Sequence, residues 1–107
     1  MPITTINLSM NCTIGELVAQ ISNFLGTNLT PSNFTRFYRD GGVFLSSLNS
    51  NGWVIAAYNH PSKSHSAIAD GGSFGGGTDR AEAEPGIWAV AASKAGINGK
   101  KTYYNTY

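Results

Sequence analysis

A chain of 107 residues and 11.3 kDa has room for one domain with a modest core, which excludes a large enzyme cleft. Only 12% of it is charged, against roughly 25% in an average soluble domain, and thirty Asn, Ser and Thr residues keep the surface wet instead. A net charge of +1 from scattered Lys and Arg supplies no concentrated field for phosphates, so no nucleic-acid partner is expected.

The lone Cys12 has no intramolecular disulfide partner and reads as a small buried hydrophobe. Met1-Pro2-Ile3-Thr4-Thr5 lacks a basic region followed by an apolar stretch, so synthesis in a cytoplasm without a secretory signal is the expectation. The sequons at Asn11, Asn28 and Asn33 then reflect composition alone. No run approaches the roughly 20 apolar residues of a membrane span, and no membrane partner is expected.

Thr4 to Ser9 alternates polar and apolar residues, as a half-buried strand does. Thr13-x-x-Glu16 is a capping box, followed by Ile14, Leu17, Val18, Ile21 and Leu25 at helical spacing and by Gly26 at the C-cap. Thr30-Pro31 predicts a second helix start, with Asp40-Gly41-Gly42 as its stop. In that helix Phe34, Phe37 and Tyr38 share a buried face, flanked by Arg36 and Arg39. Val43–Leu48 and Trp53–Tyr58 are β-prone runs around the turn Asn51-Gly52, which predicts a hairpin. Residues 59–86 lose periodicity and read as an extended loop laid on a neighbour. Ile87–Ala92 and the Tyr/Thr-rich Lys101–Tyr107 close the chain as strands.

The expected fold is therefore α+β: two short N-terminal helices packed on a small antiparallel sheet, with a long Gly-rich loop. A single domain spans 1–107, comprising a helical region (13–42), a hairpin (43–58), a loop or arm (59–86) and C-terminal strands (87–107).

His60, His65 and Asp70 could serve a small metal-binding or hydrolytic enzyme, but their spacing fits no zinc motif and no Gly-x-Ser-x-Gly elbow is present. Glu82 and Glu84, two apart, read as solvated charge rather than a catalytic pair. Gly96–Thr102 fails the phosphate-loop spacing. No catalytic residue, metal or cofactor is assigned. The expected interface comprises Phe34, Arg36, Phe37, Tyr38 and Arg39 on one side, and Gly71, Gly72, Phe74, Gly75, Gly76 and Gly77 on another, because aromatic and Arg-rich surfaces suit protein contacts.

Thr13 to Phe44 resembles a segment of small structural proteins of tailed bacteriophages, in which I-x-x-I-x-x-E-F-G is followed by I-S-L-S-x-F-Y-R-G-G and often Val-Pro. The matching parts are Ile14 to Gly26 and Asn28 to Gly42, with Asp40 inserted before the glycines and Phe44-Leu45 in place of Val-Pro. The resemblance implies a non-enzymatic virion component made in the host cytoplasm. Its partners would be other virion proteins in a symmetric or repeated assembly. Tail or fibre attachment is the first expectation, and capsid decoration or a head fibre the alternative.

Overall fold

The computed structural model describes residues 12–107, so the strand expected over Thr4–Ser9 and the sequon at Asn11 lie outside the described part. Helix α1 spans Ile14–Leu25. Its capping box is complete: Thr13 Oγ1 accepts from the Glu16 N–H at 3.1 Å, and Glu16 Oε1 accepts from the Thr13 N–H at 3.0 Å. Gly26 ends it at φ 71°, donating its N–H to the Ser22 carbonyl. Leu17, Val18 and Ile21 are the stripe it buries.

The second expected helix does not form. Thr30-Pro31 opens only a single 3-10 turn, Pro31–Asn33, and Thr35–Arg39 is strand β1. The cap signals are local and suit a 3-10 turn as well as a helix, whereas Thr35, Phe37 and Tyr38 favour an extended backbone once a partner strand is present. Asp40-Gly41, read as a helix stop, is instead a two-residue hairpin turn with φ of 54° and 84°. A pair of positive φ values is what such a turn needs. The change of period also separates the aromatics: Phe37 faces inward, while Tyr38 is 68% exposed.

Strand β2 is Gly42–Ser50, β3 Trp53–Asn59, β4 His65–Asp70, β5 Thr78–Ala83, β6 Ala89–Lys94 and β7 Lys101–Thr106. They form two antiparallel sheets, ordered β1-β2-β3-β6 and β5-β4-β7. The fold is thus mostly β with one helix among the described residues, which corrects the α+β expectation. Asn51 and Gly52, at φ 53° and 85°, turn β2 into β3.

Both faces of the four-stranded sheet carry core residues. Leu45, Ile55, Ala57, Val90 and Ala92 meet Leu17, Val18 and Ile21 of α1. The opposite residues, Phe44, Val54, Ala56, Tyr58, Ala89 and Ala91, meet Ala67, Ala69 and Ala81 of the second sheet. Six alanines in that interface let the sheets approach closely enough for direct bonds between them. The Ser93 hydroxyl donates to the Ala69 carbonyl at 3.2 Å, and Asp79 Oδ2 accepts from the Ala92 N–H at 3.0 Å.

The long Gly-rich loop is also corrected, because residues 59–86 hold β4 and β5. Thr78-Asp79-Arg80-Ala81-Glu82-Ala83 does alternate, with Asp79 and Ala81 buried, but alanine is too weak a hydrophobe for the alternation to stand out. The glycines between the strands make no arm. Gly71 N–H donates to the Gly77 carbonyl, Gly96 N–H to Gly71 and Gly77 N–H to Lys94. A Cβ on Gly71, Gly72 or Gly76 would strike the carbonyls of Lys94, Asn98 and Gly71 respectively. Close backbone packing within the chain explains this glycine content.

Candidate binding groove

The first sheet has one strand more than the second, and its main contacts with β7 come from β2 and β3. Beyond β7 the inner faces of β1 and β2 are therefore uncovered, and an open groove of about 420 Å³ lies there. Phe37 and Phe44 supply its floor from β1 and β2, and Tyr104 supplies the facing wall from β7. The rings are continuous: Phe37–Phe44 centroids are 6.2 Å apart, Phe44–Tyr104 5.2 Å and Tyr104–Tyr58 4.6 Å, the last stacked. Behind them the His65 ring meets Tyr58 edge-on at 5.6 Å. Ser46 and Thr102 hydroxyls bond at 2.6 Å and tie the two walls together.

Three of the seven Lys and Arg side chains line this one groove: Arg39, Lys100 and Lys101. The Arg39 guanidinium sits 5.0 Å over the Phe37 ring, which holds it at the rim. The Tyr58 phenol donates to the Arg39 carbonyl at 2.8 Å, and burial, helped by Asp40 and Tyr104, raises its pKa. Desolvation raises the Tyr104 phenol too, with Asp40 adding to the shift and Arg39 opposing it. Both phenols therefore stay neutral donors at ordinary pH. A cationic rim over an aromatic floor suits an anionic ligand with a ring or apolar body.

Of the eleven expected interface residues, only Phe37 and Arg39 line the groove. Arg36 and Tyr38 occupy the outer face of β1, where Arg36 Nη1 donates to the Tyr38 hydroxyl at 3.1 Å. Phe34 packs against the helix-side core. Gly71, Gly72, Phe74, Gly75, Gly76 and Gly77 lie between β4 and β5, at the end of the sandwich away from Arg39. Sequence reading missed Phe44, Leu48 and the run Lys100–Tyr104 as site residues. Alternation in Lys101–Thr106 was their one legible signal.

The enzyme alternative is not assembled. His60 Nδ1 accepts from the N–H groups of Ser62 and Lys63 at 3.1 and 3.0 Å, which leaves its Nε2–H to donate to the Asp40 carbonyl at 2.9 Å. His65 nitrogens sit 2.8 and 2.7 Å from the carbonyl oxygens of Lys63 and Ile87. Asp70 lies at the other end of β4, about 17 Å along an extended strand. Among the described residues no group of three His, Cys, Asp or Glu side chains could hold a metal ion.

The fold is a small two-layered β protein with an open aromatic groove at its sheet edge. Residues 40–104 match the family described as Bacteriocin (Lactococcin_972), a stretch running from the β1–β2 turn into β7 and covering more than half of the chain. The chain belongs to this bacteriocin family. No curated protein and no solved structure matches it. Membership overturns the phage resemblance and, with it, the virion function in tail, fibre or capsid; it points to a secreted protein in place of a virion component. The resemblance drew on Thr13–Phe44, whose pieces fall into a helix, a 3-10 turn and two strands; Phe-Tyr-Arg is part of an edge strand.

Proposed function

We propose that this chain is a secreted, non-enzymatic antibacterial protein that binds an anionic component of the target cell envelope in the groove between β1–β2 and β7. One observation carries the reading: the bacteriocin match over residues 40–104 includes eight of the ten groove-lining residues, among them Phe44, Lys100, Lys101 and Tyr104. Arg39, Lys100 and Lys101 supply the attraction, and the continuous rings supply a dry face on which charge pairing is screened less than in open water. The groove's cations and hydroxyl donors suit holding an anion in place.

Growth inhibition on lawns of a broad bacterial panel tests the reading. Wild-type protein clears at least one lawn, and Arg39→Ala with Lys101→Ala raises the minimal inhibitory concentration by about tenfold or more, the worth of one lost charged contact. Lys63→Ala, an exposed change away from the groove, leaves it unchanged. Equal potency of the groove variant removes the groove from the function. Folded wild-type protein that clears no lawn refutes the antibacterial reading.

A further inference from the structure

Six large hydrophobic side chains are exposed among the described residues, and they are not scattered evenly. The three tyrosines, 38, 103 and 107, carry a hydroxyl that water can satisfy. The three without one are Leu48, 48% exposed, Ile97, 69%, and Phe74, 73%. All three fall at the same end of the sandwich, where the β2–β3 turn, the glycine loop after β4 and the loop between β6 and β7 come together.

This end is rigid. Ser73 N–H donates to the Asn98 carbonyl at 2.7 Å and Ile97 N–H returns the bond to Ser73 at 2.9 Å, so the loops carrying Phe74 and Ile97 are clipped side by side. Gly96 N–H to Gly71, Gly77 N–H to Lys94 and Ala95 N–H to Gly52 fasten them to the sheets. Phe74 is held at φ 60°, a conformation bulky residues avoid, and the result is a ring pointed at solvent. Side chains that only needed hiding would not be fixed outward in this way.

Positive charge outnumbers negative around them, three lysines against Asp70 and Asp79. Lys94, Lys100 and Lys101 stand at the ends of β6 and β7 that meet this tip. Both acids are tied to backbone: half-buried Asp70 accepts from the Gly72 N–H, and buried Asp79 accepts from the Ala92 N–H. Apolar residues at the tip and lysines behind it match the layering of an anionic bilayer, with hydrocarbon below and headgroups above.

We infer that the clipped loops form a membrane-docking tip, in which Phe74 and Ile97 enter the interface of an anionic lipid surface and Lys94, Lys100 and Lys101 contact its headgroups. No membrane span is required, and no described helix is long and apolar enough to cross one. Docking would bring the mouth of the groove, which Lys100 and Leu48 also line, next to the membrane surface. The inference stands on the tip's own geometry and survives even if the groove has another role.

Cosedimentation of the full chain with vesicles is the test, using phosphatidylglycerol mixed with phosphatidylcholine, or phosphatidylcholine alone. Wild-type protein binds the anionic vesicles preferentially and releases with salt. The double variant Phe74→Ser with Ile97→Ser, folded by circular dichroism, binds at least about tenfold more weakly, while Phe74→Leu retains binding. The Phe74→Trp protein shifts its emission to the blue on adding anionic vesicles. Absence of wild-type binding, equal binding by the double variant, or an unmoved Trp emission overturns the inference. So does sedimentation showing that the two serines dissolve a lipid-free oligomer while vesicle binding stays unchanged, since the tip would then be a contact between copies.

Discussion

Gly42→Ala adds one methyl group at the first residue of β2, where backbone conformation is no obstacle, because the φ of Gly42 is not positive. Space is the obstacle. A Cβ there would stand 2.7 Å from the Tyr58 hydroxyl and 2.8 Å from its ring carbon, with the Asn59 carbonyl closer still. Tyr58 is wholly buried, so its ring has no free direction in which to retreat. Overpacking of this kind costs about 1–3 kcal/mol. Displacing the ring also strains the 2.8 Å bond to the Arg39 carbonyl, worth about 1 kcal/mol. The sum is about 2–4 kcal/mol, which lowers the melting temperature of a domain this size by roughly 10–20 °C. Thermal unfolding followed by near-ultraviolet circular dichroism reports it, since the Tyr58–Tyr104 stack contributes to that signal. Gly15→Ala is the control: its Cβ meets nothing nearer than the Thr13 hydroxyl at 3.8 Å, and the gain in helix propensity raises stability by about 0.5 kcal/mol. A Gly42→Ala melting point within about 3 °C of wild type would refute the steric argument.

The Glu16 carboxylate, held by the Thr13 N–H and then by its hydroxyl, has a pKa lowered from 4.5. Its contribution to α1 is therefore complete above that value and lost as the pH falls through the lowered one; Glu16→Gln flattens this acid limb in helix circular dichroism. Tyr58 has a raised pKa, so the stabilisation tied to its proton is present below pH 10.0 and lost as the pH climbs through the folded value. In Tyr58→Phe the alkaline fall in stability above that pH shrinks, and an unchanged fall would contradict the burial assigned to the phenol. Ala69→Leu inserts a large side chain where the sheets touch and Ser93 bonds the Ala69 carbonyl; it costs about 2–3 kcal/mol by chemical denaturation, and a neutral result would mean the sheets are loosely packed.

How far the fold could be read in advance depends on how local its causes are. The capping box of α1, its apolar stripe and the Gly26 stop are each complete within a few residues. Asp40-Gly41 and Asn51-Gly52 have the same turn chemistry, yet only the second was read as a hairpin, because Thr30-Pro31 upstream suggested a helix for Asp40-Gly41 to end. β4 and β5 hid for a different reason. Their inward positions are Ala67, Ala69 and Ala81, which bury little area alone and matter because the opposing sheet comes close.

The groove was less legible still, since Phe37, Phe44, Lys101 and Tyr104 come from three strands spread over most of the chain. The amino-acid sequence by itself determined α1 and the Asn51-Gly52 turn, since hydrogen bonds between near neighbours and the positive φ of single residues are encoded where they occur. Only the tertiary structure decided that Phe-Tyr-Arg is an edge strand, that the glycines form a backbone clamp, and that aromatics and cations meet in one groove. The strand pairs with β2 only a few residues on, but the clamp and the groove join residues tens of positions apart, and closing such distances depends on how the two sheets pack against each other.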